Sequence, residues 1–522
     1  MIAGPPAFTT QTRLGAGRPV RTGSRAAYLP LVELGGERHI VRTDLIGGGE
    51  PPSVEPAGAA LASLAHMTDL HVTDVQSPAR FEFVNREWDD PRFRDLLTMQ
   101  RPQEALNYRA VDAMVQTINR IDVGPVTGSP MQAVIMTGDG IDNTQHNELQ
   151  IFLSLMNGGL VHPDSGTLGY EGVQSIAWPG DFCWKPDGPP AGDLFQTAFG
   201  FPTAPGLLDR ALEQFTAPGL RLPWLGCYGN HEAVCQGVGL ITEGLRRLMA
   251  GSRKSYALPD GIDPETAIET FIVSPEKFAT GSAFHVSADP DRRPIDKREF
   301  VEAHFAAGGH GFTERNRERG TAYYARDAGG VRFITLETVC EAGGADGHID
   351  ATQLMWLERR LVEVHSVYMA PDGSPVRTRN EDRIVVLMSH HGFDTMNNPR
   401  AESTAEDLIE LLGRFRNVVL WLNGHIHANR VTPRFDRQQG TAFWEVTTSS
   451  IVDWPSQARI VEVFEAGGGL LAIACTLVDH QGSDLARMHR ELGANVPLSG
   501  FGSWHEGGAE DRNVILLVRR PF

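Results

Sequence analysis

The stretch WLNGHIHANR, residues 421–430, places His425 and His427 two positions apart directly after an apolar run. On a strand, residues i and i+2 point to the same side. In a loop at a strand end, both imidazoles can converge on one point. Two converging neutral imidazoles are the beginning of a metal site. Two solvent-facing loop histidines give the same short pattern, and short motifs often match by chance. The reading therefore turns on whether the rest of the chain supplies partners.

Working outward, apolar runs recur, each ending in a polar loop: 61–74, 132–143, 222–233, 331–339, 383–393 and 417–429. Their short aliphatic and β-branched cores suit strands buried on both faces. Between them lie helical patterns at 103–121, at 352–365 after the capping-like HIDATQ, and at 404–415. Alternation of strand and helix implies an α/β layered fold with parallel pairing. The later segments 441–450, 458–479 and 513–522 read as β-rich, with AGGG at 466–469 as a hairpin turn. The Gly/Pro-rich stretch 144–220 and the charged stretch 234–320 read as inserts, because the core pattern resumes after each.

In open α/β sheets, ligands bind outside the carboxyl ends of the strands. Asp69 and His71 follow the first run. Asp139, Asp142 and Asn143 follow the second, and Asn230, His231 and Glu232 the third. His390 and His391 follow the fifth run, and His425 and His427 the sixth. Five strands are thus expected to deliver Asp, Asn or His to the same edge of one sheet. Nitrogen and oxygen donors without thiolate suit Zn, Fe or Mn, not an all-oxygen Mg or Ca cage. Seven or eight donors are too many for one four-coordinate ion and suit two ions sharing a carboxylate. Two ions about 3.5–4 Å apart clamp the attacking and leaving oxygens of a phosphoryl transfer, and a metal-held water reaches a pKa of about 7.

At this point the chain resembles the calcineurin-like metallophosphoesterases. Five blocks of that superfamily occur in order: DLH at 69–71, GDGIDN at 138–143, GNHE at 229–232, SHH at 389–391 and GHIH at 424–427. The long gaps resemble a bacterial subgroup that often carries a twin-arginine export signal. The resemblance implies an α/β fold of the αββα type, two mixed sheets flanked by helices, with long loop insertions. It implies a dinuclear phosphoesterase that hydrolyses phosphomonoesters or phosphodiesters by attack of a metal-bound hydroxide. It assigns Asp69, His71 and His427 to one metal, Asn230, His390 and His425 to the other, and Asp139 as the bridge. His231 is implied to face the phosphate and help protonate the leaving group, with Glu232 orienting it and Asn143 holding a phosphate oxygen. His390 precedes His391 in the block and is taken as the ligand. Asp142 is read as pinning its own loop, and Asp453 and Trp454 as structural. Trp184 and His310 are candidate pocket residues that more commonly pack or face water.

The expected cofactors are two transition-metal ions, Mn, Fe or Zn, with a small-molecule phosphate ester as the partner. The net charge of −18, with no polybasic block, argues against nucleic acid and anionic membranes, and so against a nuclease of the same fold. A non-catalytic member is expected to lack one of the donors. The five cysteines are too few for a disulfide framework, and Cys227 and Cys235 are expected to be buried thiols. The chain divides into an extension at 1–60 with a hairpin, a main domain at 61–480, and a closing helix and strand at 481–522. Residues 1–30 are rich in Pro, Gly and Arg, which predicts poor order at their start. They lack the apolar core of a signal peptide, so the chain as written is expected in the cytoplasm, or exported with its signal removed.

Overall fold

In the computed structural model, residues 7–189, 191–401, 405–436 and 441–522 are described. The first six residues, expected to be poorly ordered, and Thr404 of the helix expected at 404–415 lie outside them. The strands that carry the fold are β1 (Ala62–Met67), β2 (Ala133–Met136), β3 (Trp224–Gly226), β4 (Tyr324–Ala328), β5 (Val331–Thr335) and β6 (Ile384–Met388). They continue with β7 (Val418–Asn423), β8 (Arg430–Asp436), β9 (Thr441–Thr447), β10 (Gln457–Gly467), β11 (Leu470–Asp479) and β12 (Val514–Arg519). The helices around them are α1 (Asn107–Ile118), α2 (His146–Asn157), α3 (Asn230–Ala233), α4 (Lys297–Ala306), α5 (Ala351–Val362), α6 (Ala405–Leu412) and α7 (Asp484–Ala494).

The strands form two mixed sheets. One runs β3–β2–β1–β10–β11–β12 and continues to the short strand Ile40–Arg42. In it β1, β2 and β3 are parallel, and β10 turns antiparallel against β1. The other runs β4–β5–β6–β7–β9–β8, with β5, β6, β7 and β9 parallel and antiparallel strands at both edges. β10 and β11 form the long hairpin turned through the glycines at 467–469.

Side-chain alternation separates the cores, because successive strand residues face opposite sides. Leu64, Ile135, Val461 and Ile473 of the first sheet pack with Val386, Leu420, Leu422 and Val446 of the second. The neighbouring Ala65, Met67, Val134 and Met136 pack instead on Val111, Met114 and Val115 of α1 and Phe152 of α2. Val385, Leu387 and Trp421 pack on Leu357 and Leu361 of α5 and Leu408 and Leu412 of α6. Helix α5 starts where the capping pattern placed it, with the Asp350 side chain accepting from the Gln353 amide at 2.9 Å.

The segments between the core strands fold against them. Gly159–Val161 pairs with Phe215–Ala217, and Arg253–Ser255 with Ala283–His285. Cys235, Leu245, Phe271 and Phe278 share one buried cluster with Phe81 and Phe93. In the N-terminal extension Thr12–Ala16 pairs with Leu31–Gly35. No helix among the described residues is long and apolar enough to cross a membrane.

One expectation needs correction. The strands that lead into the five motif blocks do not belong to one sheet. β1, β2 and β3 lie in the first sheet, and β6 and β7 in the second. Both families of parallel strands end on the same side, so the site is built across the seam between two sheets.

Candidate metal centre

Four of the five motif blocks are tight loops just after a strand, and the block at 229–232 opens the short helix α3. Nine non-glycine residues among those described have positive φ, and five of them are Asp69 (51°), His71 (45°), Asp139 (52°), His425 (70°) and His427 (55°). This conformation costs an L-residue on the order of 1–3 kcal/mol. It persists because the loops hold one another: the Asp69 amide donates to the Gly138 carbonyl at 3.1 Å, and the His71 amide to the Asp139 carbonyl at 3.0 Å. The His425 amide donates to both carboxylate oxygens of Asp69, at 3.2 and 3.0 Å. Glycine is required where the loops touch. A Cβ on Gly424 would fall on Thr68 Oγ1 and Asp69 Oδ2, and one on Gly229 would fall on Asp139 Oδ1.

The result is a convergence of electron pairs. His71 donates Nδ1–H to Asp142 Oδ1 at 3.0 Å, and His427 donates Nδ1–H to Asp453 Oδ2 at 2.7 Å. A neutral imidazole whose Nδ1 carries the proton has a lone pair at Nε2. Those two Nε2 atoms face each other at 3.1 Å, with Asp69 Oδ1 3.9 Å from the first and 3.5 Å from the second. The second cluster repeats the pattern. His390 donates Nδ1–H to the Thr137 carbonyl at 2.8 Å, so its Nε2 lone pair faces Asp139 Oδ2 at 3.0 Å and His425 Nδ1 at 3.2 Å. Asp139 Oδ2 also lies 3.8 Å from His71 Nε2, which makes this carboxylate common to both clusters. Asn230 brings its amide to the same region. Its Nδ2 donates to the Gly237 carbonyl at 3.0 Å, while its buried Oδ1 has no hydrogen-bond partner among the described residues.

Acceptors packed against acceptors are unfavourable unless a proton or a cation sits between them. Burial lowers the His427 imidazole, but Asp69 and Asp453 outweigh it and bring it up to about 9. Burial likewise lowers His390, and Asp139 and Asp69 bring it up to about 9. Their partners move the other way. Burial and the neighbouring His231 take His71 down to about 4, and burial and His390 take His425 down to about 3. In each facing pair one ring holds a proton where a cation would fit. The donor set, histidine nitrogen with carboxylate and amide oxygen and no thiolate, suits Mn, Fe or Zn.

No protein-family model matches the chain, and no curated protein matches it. Among solved structures, the crystal structure of a dimetal phosphatase from Danio rerio is similar at 10% identity over 81% of this chain and 100% of that one, with a TM-score of 0.35. The groups Asp69–His71–His427 and Asp69–Asp139–His390 each place their ligand atoms close enough to hold a metal ion.

Several residues stand differently from their sequence reading. Glu232 was expected to orient His231. Its carboxylate instead accepts from the backbone amides of Asp139 (3.0 Å), Gly140 (2.6 Å), Ile141 (3.3 Å) and Gly229 (2.8 Å), and so fixes the Asp139 loop. Burial and the nearby Asp139 carboxylate push its carboxyl up to about 8, against the pull of the amides. His231 is held otherwise: its amide donates to Asp139 Oδ1 at 3.0 Å and its Nδ1–H to the Asp142 carbonyl at 2.5 Å. Asn143 was expected to hold a phosphate oxygen. It is fully buried, its Nδ2 donates to the Ala79 carbonyl at 3.0 Å, and its Oδ1 accepts from the Gln236 amide at 2.9 Å. Both ends of the amide are therefore spent on the scaffold. His391 lies near His425, yet its Nε2 donates to the Ala345 carbonyl and its Nδ1 accepts from Thr338, both at 2.9 Å. Of the adjacent pair, only His390 presents a ring nitrogen to Asp139.

Asp142 and Asp453 do more than shape their loops, because each backs a histidine. Trp184 is buried in an apolar cluster, and His310 stacks on Trp224 at 3.7 Å. All five cysteines are free thiols, with Cys227 and Cys235 buried.

The sequence reading missed the segment behind the site altogether. Glu104 and Asn107 were read only as part of the helix at 103–121, and Arg101 was given no role. Asn107 Nδ2 donates to the carbonyls of both Leu70 and His71 at 2.6 Å. Arg80 is buried and pairs with Asp142 and with Glu104. Three arginines among the largest fully buried side chains (Arg80, Arg292 and Arg459) are a signal that composition hides and burial reveals.

Proposed function

We propose that this protein is a dinuclear metal-dependent phosphoric ester hydrolase acting on a small-molecule phosphomonoester or phosphodiester. The observation that carries the reading is the facing of the His71 and His427 Nε2 atoms at 3.1 Å beside Asp69. In this reading Asp69, His71 and His427 would hold one ion and Asn230, His390 and His425 the other, with Asp139, which lies near both His71 and His390, available to both. The unpartnered Oδ1 of Asn230 fits a ligand at that position. The two layers of sheet, each covered by helices on its outer face, support an αββα arrangement with the site at the seam.

Two bound ions would supply the Lewis acidity that activates water near neutral pH and offsets charge on the phosphoryl oxygens. The chain's own residues supply the rest. Asp139 fixes the spacing of the two clusters, and Glu232 holds the Asp139 loop through the four amides. His231 has Nδ1 committed to a carbonyl, which leaves Nε2 to exchange a proton, in a side chain 18% exposed at the rim of the cluster. In this reading it would give a proton to the departing alkoxide. The net charge of −18 favours a small ester over a nucleic acid.

The test is metal content per chain together with hydrolysis of bis(p-nitrophenyl) phosphate and p-nitrophenyl phosphate, comparing wild type, Asp139→Asn and His231→Gln. About two ions per chain, with turnover of one ester lost in Asp139→Asn and lowered less in His231→Gln because p-nitrophenol departs without a proton, is the expected result. A wild type that binds no metal after reconstitution overturns the reading.

A further inference from the structure

Behind the His71–His427 pair lies a buried framework centred on residues 101–104. His427 Nδ1 donates to Asp453 Oδ2 at 2.7 Å, and the other oxygen of that carboxylate accepts from Arg101 Nε at 2.8 Å. The Asp453 and Arg101 side chains are 7% and 11% exposed. The Arg101 amide donates to Glu104 Oε2 at 3.0 Å, and the same oxygen accepts from Arg80 Nη2 at 2.8 Å. Arg80 in turn pairs with Asp142, the carboxylate that receives His71 Nδ1. Gln103 Nε2 adds a bond to the Val452 carbonyl at 3.0 Å, one residue before Asp453. The supports of both imidazoles therefore meet at Glu104, although His71 and His427 are 356 positions apart in sequence.

A carboxylate this deeply buried needs a cation, since an unpaired one takes a proton or moves toward water. If Asp453 moved, His427 would lose the partner that keeps its proton on Nδ1 and its lone pair on Nε2. Groups of this kind behind a metal ligand commonly change metal affinity by about 10–100-fold.

We propose that Arg101 is a positioning residue for His427, acting through Asp453 to hold the Nε2 lone pair toward the ion shared with Asp69 and His71. The proposal rests on the reading of the site as a dinuclear metal centre. It predicts an effect mainly on one of two ions, because neither His390 nor His425 bonds directly to Arg80, Arg101, Glu104 or Asp453 among the described hydrogen bonds.

The experiment is stepwise removal of Mn²⁺ from the full chain by a competing chelator. It uses wild type, Arg101→Gln, Arg101→Lys, Asp453→Asn and the double variant Arg101→Gln/Asp453→Asn. Thermal unfolding in chelator checks that each variant folds. We expect Arg101→Gln to release one ion at a chelator concentration about 10–100-fold lower and the other unchanged. Arg101→Lys should recover part of the loss. The double variant should lose no more than Asp453→Asn alone, since the two residues act in series. Additive losses overturn the proposal, as does weakening of both ions equally. A raised KM with both ions held as in wild type also overturns it, and would make Arg101 a substrate contact. A wild type without metal overturns both this proposal and the functional reading, whereas two ions indifferent to Arg101 overturn this proposal alone.

Discussion

His71 and His427 meet through their Nε2 atoms at 3.1 Å, each with its Nδ1–H fixed on a buried carboxylate. The contact joins a loop of the first sheet to a loop of the second. Neither ring can turn to relieve it, because each is locked by the bond at its far side. The pair therefore aims two ring nitrogens at one point, with a proton on His427 where a cation would fit, and the expected behaviour of the site follows from that geometry.

Metal binding is expected to release protons. In the metal-free site the acid groups hold His390 and His427 near 9, so both rings carry protons at pH 7.5. An ion must displace them, which should release on the order of two protons per chain and weaken binding as pH falls. Calorimetric titration in buffers of different ionisation enthalpy measures the number directly. Release of no protons would contradict this picture.

The same shifts set a sign for stability. Both groups have folded values above the ordinary 6.5, so their contribution is fully present below about 6.5 and is lost as pH rises through about 9. The chelated protein should show a lower Tm at pH 9.5 than at pH 7. The metal-loaded protein should lose less over the same interval, because the ion replaces the protons. Thermal scans with and without chelator give the comparison.

His231→Gln is expected to leave metal content unchanged while lowering kcat by about 10²–10⁴-fold for esters with poor leaving groups. The loss should shrink for p-nitrophenol, which departs without a proton. An equal loss for both leaving groups would place His231 in phosphate binding instead of proton transfer.

Gly424→Ala is expected to displace Asp69, since the new methyl would fall on Thr68 Oγ1 and Asp69 Oδ2. Overpacking of this kind costs about 1–3 kcal/mol. Urea unfolding measures that cost, and metal analysis should show that an ion is lost with it. A variant that keeps both ions would mean that the loop can yield.

Asn143→Ala is expected to destabilise the fold by about 1–3 kcal/mol, because it strands the Ala79 carbonyl and the Gln236 amide. KM for the ester should not change. A selective rise in KM at unchanged stability would restore Asn143 as a substrate contact.

Much of the architecture was legible along the chain. The apolar runs fell on β1, β2, β3, β6 and β7, and the helical periods on α1, α5 and α6, since burial imposes a period of two or 3.6 on local sequence. The candidate donors were legible too, because Asp, Asn and His stand directly after those runs. Ligand atoms that could hold a metal come together there in Asp69, His71 and His427 and in Asp69, Asp139 and His390. Which of His390 and His391 turns a free nitrogen toward Asp139 was settled in space. Thr338 and the Ala345 carbonyl, from an unrelated stretch of chain, engage both nitrogens of His391.

By itself, then, the sequence determined which Asp, Asn and His residues are candidate donors, their order and the strand ends that carry them, because all of these are local properties of the chain. Only the tertiary structure decided that two sheets share the site, that Glu232 and Asn143 serve the scaffold, and that Arg101 and Asp453 stand behind His427. The physical reason is range. A buried carboxylate or guanidinium is defined by the opposite charge that satisfies it, and here that partner lies 352 positions away between Arg101 and Asp453.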